Sequence, residues 1–163
     1  GPLEETAFGG ARYALVLLDD ATRYCEVRCL EAKSDTPVAL LEVISLWETR
    51  QERRLKVLRT DEGKEFCNET LGSEFKRRGV EHQMTTRYTP QSNGRAERVN
   101  RTLFECVRTM LVAAHSPKML WDEALYTACT VRNLVSCGAG RSKTPYELFW
   151  GRKPDVSMLP LVV

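Results

Sequence analysis

Two histidines and no CxxC pair stand in a chain of 163 residues. That is too thin a set of nitrogen and sulfur ligands for a zinc module. No apolar run approaches the ~20 residues needed to cross a bilayer, so no membrane partner is expected. The opening GPLEETAFGG has neither the basic start nor the apolar centre of a secretory signal. An intracellular setting follows, and the six cysteines (25, 29, 67, 106, 129, 137) are expected to be reduced, buried or half-buried thiols rather than a disulfide framework. Internal repeats and low-complexity linkers are also missing. A net charge of only +2 means that the whole-chain balance does not demand a nucleic-acid partner. With 42% hydrophobic and 28% charged residues, the chain has the make-up of one globular domain.

The apolar pattern alternates between strand and helix. Tyr13 to Leu18 is a continuous apolar run suited to a buried strand, ended by a turn at Asp19-Asp20. From Tyr24 to Leu30, Cys25, Val27 and Cys29 alternate with Glu26 and Arg28, which predicts a second strand antiparallel to the first. Thr36-Pro37 opens a helix, with Thr36 as N-cap and Val38, Leu41, Ile44 and Trp47 on its apolar face. Leu55 to Thr60 is a strand with Asp61 at its C-terminal end and a turn at Gly63. Asn68 caps a short helix to Arg78, closed by Gly79, and Val80 to Thr85 is a short strand. Thr86 to Asn93 reads as a loop. A long helix from about Gly94 to Ala114 has Ala96, Val99, Leu103, Val107, Met110 and Ala114 on its core face. After Pro117 comes a second, lined by Trp121, Ala124, Leu125, Ala128, Val131 and Val135 and ended by Gly138 and Gly140. A short helical turn stopped by Gly151 follows. The order predicts an α/β plan in which an antiparallel pair is continued by strands joined through helical crossovers.

Charge is unevenly spread. From Arg87 to Arg108 five arginines (87, 95, 98, 101, 108) face two acids, Glu97 and Glu105, a local basic footprint of the kind that phosphates select, although a solvated helix face has the same composition. Glu97 lies within this stretch, about 120° from the centre of the helix's core face. Two readings are open for each carboxylate: Asp61 as a turn cap over Gly63 or as a metal ligand, Glu97 as an i,i+4 partner of Arg101 or as a metal ligand. Thirty-five residues separate Asp61 from Glu97.

The segments LRTDEGKEF and YTPQSNGRAERVNRTL resemble the second catalytic Asp and the catalytic Glu segments of retroelement integrases, and their separation is similar to the D,D-35-E spacing of that family. GGARY, LDDATR and KSD, then LWDEALYTA, then TPYELFWGRKP resemble the copia-type retrotransposon branch, so the likeness runs through nearly the whole chain. The resemblance implies an RNase H-like fold, a mixed sheet flanked by helices lacking most of its first strand, with residues 1–163 as one catalytic core and 143–163 its C-terminal extension. It also implies Mg²⁺ or Mn²⁺ held by Asp61 and Glu97, and DNA as substrate. The reactions it implies are 3′-end processing and strand transfer, the metals activating the attacking oxygen and stabilising the phosphorus under attack. Gln91, Asn93, Arg98 and Arg101 are implied DNA contacts, a homodimer or higher oligomer the implied assembly, and the nucleus, with cytoplasmic particles, the implied location.

The family uses three carboxylates, the first lying three residues before a Gly-Pro pair. This sequence opens on Gly1-Pro2, so that Asp is expected to lie upstream, the metal site to be incomplete, and the chain alone to be weak or inactive in strand transfer. Asp19 and Asp20 have the place of an ordinary turn pair, not of substitutes. No HHCC zinc module or C-terminal DNA-binding tail is present in these residues. A degenerate or domesticated module that binds DNA or protein without catalysis is the alternative.

Overall fold

The computed structural model describes residues 3–85, 90–135 and 142–157, with side chains from residue 94 onward in the second stretch. Strands β1 (Tyr13–Leu18) and β2 (Cys25–Leu30) form the expected antiparallel pair, with Val16 opposite Val27. The turn between them is built by Asp19, whose carboxylate accepts the Thr22 amide at 2.8 Å and its hydroxyl at 2.5 Å. Both faces of the pair are covered, which is why β1 reads as an unbroken apolar run. Leu15, Leu17 and Leu30 enter one core cluster, while Cys25 and Val27 enter another with Ala14, Val16 and Leu18 against it.

Helix α1 (Thr36–Gln51), strand β3 (Val57–Asp61), helix α2 (Glu69–Arg78) and strand β4 (Glu81–Thr85) follow, and β3 and β4 pair in parallel. Asn68 caps α2 as its chemistry predicts, its Oδ1 accepting the Leu71 amide at 2.8 Å, and Gly79 ends the helix at φ 71°. In α1 three expectations shift. The N-cap is Asp35, with Thr36 already helical and buried. Ala39, Leu40, Val43 and Ile44 are the buried face, and Val38 is 62% exposed. A run of threes drifts round a helix with 3.6 residues per turn, so Val38 and Ile44 cannot share one stripe.

The expected mixed sheet is present as two pairs. Among the described residues β1–β2 and β3–β4 are separate two-stranded sheets. Side-chain packing joins them: Leu15 and Leu17 share a cluster with Leu71, Phe75 and Val80, and Leu58 packs against it.

Helix α3 (Pro90–Ala113) and helix α4 (Trp121–Leu134) cover the other face of β1–β2. The expected loop through Asn93 is corrected at residues 90–93, which are helical. Pro90 takes the first helical position, where its fixed φ suits the turn and its missing N–H is no loss. Val99, Leu103 and Val107 are buried as expected, whereas Ala96 and Ala114 are exposed. In α4, Trp121, Leu125, Ala128 and Cys129 are buried, but Val131 and Val135 are 41% and 56% exposed. Asn133 takes over the inner face: its Oδ1 accepts the Cys25 amide at 2.9 Å and its Nδ2 donates to the Cys25 carbonyl at 2.8 Å. Val135 ends the helix; Gly138 and Gly140, expected to do so, lie outside the described residues.

Helix α5 (Pro145–Trp150) has a reciprocal cap between Thr144 and Glu147 and stops at Gly151 in the left-handed conformation. It returns to the body of the domain through aromatic rings. Phe149 stacks on Tyr24 at 4.4 Å and meets Trp47 edge-on at 5.0 Å, and its carbonyl accepts from Gln51 Nε2. The cysteines divide: Cys25 and Cys129 are buried and Cys29 partly so, but Cys67 and Cys106 are exposed, correcting a uniform expectation of buried thiols. Cys67 sits in the turn between β3 and α2 with its sulfur 3.3 Å from that of Met84, and Cys106 is on the exposed side of α3. Cys137 lies outside the described residues.

Candidate metal and nucleic-acid site

Asp61 is the last residue of β3, and the parallel register sets Thr85 beside it. The end of this strand is braced: Thr60 Oγ1 lies 2.9 Å from His82 Nε2, and Thr85 Oγ1 donates to the Thr60 carbonyl at 3.1 Å. His82 packs edge-on against Phe75, and burial lowers its pKa, which favours the neutral ring. The Asp61 carboxylate itself is exposed and accepts the Gly63 amide at 3.1 Å. The turn-capping role is therefore real, and it leaves the second carboxylate oxygen for another partner.

Gly63 also has a steric reason. A Cβ there would stand 3.0 Å from Asp61 Oδ1 and 2.9 Å from Glu65 Oε2. The carboxylates of Asp61 and Glu65 thus close around one point that only glycine leaves open. Glu65 is held by Lys33 at 3.4 Å. Sequence reasoning passed over it. The signal was there in DEGKEF, where an acid follows four residues after Asp61 across a glycine turn.

Chain leaving β4 at Thr85 enters α3 five residues later, and Glu97 stands two turns into that helix, about 10 Å along its axis from Pro90. Asp61 and the start of α3 thus belong to the same, C-terminal, end of the parallel pair. Glu97 is exposed rather than at the edge of the core, because Ala96 beside it is exposed too and the buried stripe begins at Val99. The ion pair with Arg101 that would explain Glu97 structurally is not among those formed by the described residues. Arg98 and Arg101 are both exposed on α3, and Arg98 Nε donates to the Gly94 carbonyl at 3.0 Å. Gln91 and Asn93 are on the first helical turn, and their side chains lie outside the described residues.

Asp19 and Asp20 are committed elsewhere, Asp19 to its turn and Asp20 to Arg95 at 2.8 Å and Arg23 at 2.5 Å. The Arg95 guanidinium, then Arg23, holds the Asp20 carboxyl below the usual range. Among the described residues no group of three or more His, Cys, Asp or Glu side chains stands together as a metal cage. Asp61 and Glu97 nonetheless suit a hard divalent cation: both are carboxylates, both are exposed, and Mg²⁺ ordinarily takes one or two carboxylates and fills its shell with water and phosphate oxygens.

Layered helices around paired strands, with a carboxylate at a strand end and another on the following long helix, define an RNase H-like core of the integrase type. The family model described as the integrase core domain matches residues 4–90. The chain is 39% identical over 133 residues to the retrovirus-related Pol polyprotein from transposon TNT 1-94 of Nicotiana tabacum, covering 82% of this chain and 10% of that protein. It is 28% identical over 148 residues to the corresponding polyprotein from transposon RE1 of Arabidopsis thaliana, covering 91% and 10%. The chain therefore belongs to the integrase core family, in the company of retrotransposon Pol polyproteins, and spans about a tenth of the length of these relatives. Solved structures share the fold. The HTLV-2 integrase catalytic core domain in complex with magnesium matches at TM-score 0.64 and 20% identity, over 82% of each chain. The simian T-cell lymphotropic virus intasome, in complex with a PP2A regulatory subunit, matches at TM-score 0.71 and 19% identity, over 91% of this chain and 52% of that one.

Proposed function

We propose that this chain is the catalytic core of a retrotransposon integrase, which joins element DNA to target DNA by metal-dependent polynucleotidyl transfer. The observation that supports the reading is an exposed Asp61 at the end of a braced strand and an exposed Glu97 in the next long helix, with 35 residues between them. Asp61 and Glu97 each supply carboxylate oxygens to Mg²⁺ or Mn²⁺. When bound, such ions polarise the phosphodiester and lower the pKa of the attacking hydroxyl. Arg98 and Arg101 hold strand phosphates, positioning DNA along α3, and Gln91 and Asn93 touch it from the first turn. Element ends and target DNA are the substrates and the nucleus the working compartment. A second copy covers exposed apolar residues such as Val112 on α3 and Tyr126 and Val131 on α4.

The third carboxylate of this reading is an Asp on a strand upstream of Gly1. Strand-transfer and disintegration assays with Mn²⁺ should find the present chain weak or inactive, and a version extended upstream by about thirty residues active. Robust turnover by the short chain would sink the upstream-Asp account. The second reading is an integrase-like module that binds DNA without catalysis, and the observation in its favour is that among the described residues no three His, Cys, Asp or Glu side chains stand together. An extended chain that binds DNA but never cleaves it is the outcome that selects this reading.

A further inference from the structure

A cleft of about 550 Å³ opens where the β1–β2 turn meets α3 and the last turn of α4, on a different stripe of α3 from Glu97. Four arginines line it: Arg23 from the turn, Arg95 and Arg98 from α3, and Arg132 from α4. Leu18 and Val99 contribute apolar surface and Thr102 a hydroxyl. The four guanidiniums bring like charges into one cleft. Among the described residues no acid lines the cleft, and the Asp20 carboxylate lies 2.8 Å from Arg95 and 2.5 Å from Arg23. Like charges gathered in this way repel one another unless an anion sits among them.

The arginines are set by the fold rather than strewn over a surface. Arg23 has a left-handed backbone, φ 71°, uncommon for a residue with a side chain. Its amide donates to the Asp19 carbonyl at 2.9 Å, and its own carbonyl accepts from Arg132 Nη1 at 2.7 Å. Arg132 is thereby oriented from α4 and Arg23 from the turn. Asp20, by contrast, is a surface carboxylate with its side chain 66% exposed, and among the described residues only the two arginines hold it. A group carrying two or more phosphate charges has more to offer these guanidiniums than one carboxylate does.

We propose that this cleft is a phosphate-binding site in which Asp20 stands in for the ligand's anion, and that the phosphates it takes are those of a DNA strand running along α3. The DNA half of this statement rests on the integrase reading above, and the phosphate half does not. It adds Arg23, Arg95 and Arg132 to the contacts expected of Arg98. It also gives Asp20 the role of a competing internal anion, not of a metal ligand.

The test uses the whole chain, with pyrophosphate binding followed by calorimetry and binding of a fluorescein-labelled DNA duplex followed by anisotropy across a salt series. Asp20→Asn should tighten both ligands about three- to tenfold, since it removes the competing carboxylate. Arg95→Gln should weaken both by a similar factor and lower the log–log salt slope for DNA by about 0.9, one phosphate contact. Thermal melts of both variants check that the fold is intact. DNA binding left unchanged by both substitutions overturns the cleft while leaving the integrase reading in place. Pyrophosphate binding that responds to both, with no DNA binding at all, upholds the phosphate site and removes DNA as its source. A tightening that is absent in Asp20→Asn with both ligands would overturn the competing-anion role.

Discussion

The seam between β2 and α4 and the open end of β3 treat polar groups in opposite ways. At the seam, Asn133 is 5% exposed and spends both ends of its amide on the backbone of Cys25, as a neighbouring strand would. Cys25 and Cys129 touch there at 3.2 Å, and Arg132 closes the edge on the Arg23 carbonyl. At the open end, Asp61 keeps a carboxylate oxygen uncommitted and Glu97 stands exposed on its helix. Satisfied, buried polar groups specify a fold; uncommitted, exposed ones are available to a ligand. The domain thus separates the polar groups that hold it together from those left open to a ligand, and substitutions should separate in the same way.

The largest expected effect is at the seam. Asn133→Ala leaves the buried Cys25 amide without a partner and its carbonyl with only the Cys129 thiol, 3.3 Å away, and should cost about 2–4 kcal/mol by urea denaturation. A cost below about 0.5 kcal/mol would show that the seam is not a stabilising element. A second contrast is chemical. Burial pushes the Cys29 thiol up to about 11, and the hydrogen-bonded neighbour Cys25 together with burial pushes Cys129 up as well. In peptide-mapped alkylation near pH 8, the exposed Cys67 and Cys106 should therefore react on the order of a hundredfold faster than Cys29. Equal rates at all positions would mean that the β2–α4 seam opens readily.

The smallest effect belongs to the surface. Arg77, and then Arg78, hold the Glu74 carboxyl down at about 2 on the outer face of α2. A carboxyl with a lowered pKa in the folded state adds stability above its ordinary pKa of 4.5 and loses it as pH falls toward about 2. Stability curves of the chain and of Glu74→Gln should differ by a small constant amount above pH 5 and converge in acid. A gap that widens in acid would contradict the assignment.

Much of the fold was legible from particular residues. Asn68 and Gly79 bracket α2, Thr144 and Gly151 bracket α5, and the unbroken apolar run of β1 reports a strand buried on both faces. These are local signals with local causes. Asn133 was not legible, because periodicity counts a polar residue out of a core face, and only the tertiary partner Cys25 explains it. The four-arginine cleft escaped for a related reason: Arg23, Arg95 and Arg132 come from three elements, and a linear charge count sees only those on α3. The loop expected through Asn93 gives way to helix from Pro90, because proline breaks a helix interior but suits its first turn. Asp61 and Glu97 are site candidates by motif and spacing. Their exposure, and the nearness of Glu65 to Asp61 across Gly63, needed the structure.

The most direct test of the account is Mn²⁺ binding by calorimetry to the chain, to Asp61→Asn and to Glu97→Gln. Both carboxylates are exposed, so each variant should melt within about 0.5 kcal/mol of the parent. The parent should bind Mn²⁺, and each single substitution should weaken that binding by at least about tenfold. Identical affinity in all three proteins would contradict the claim that Asp61 and Glu97 share a metal.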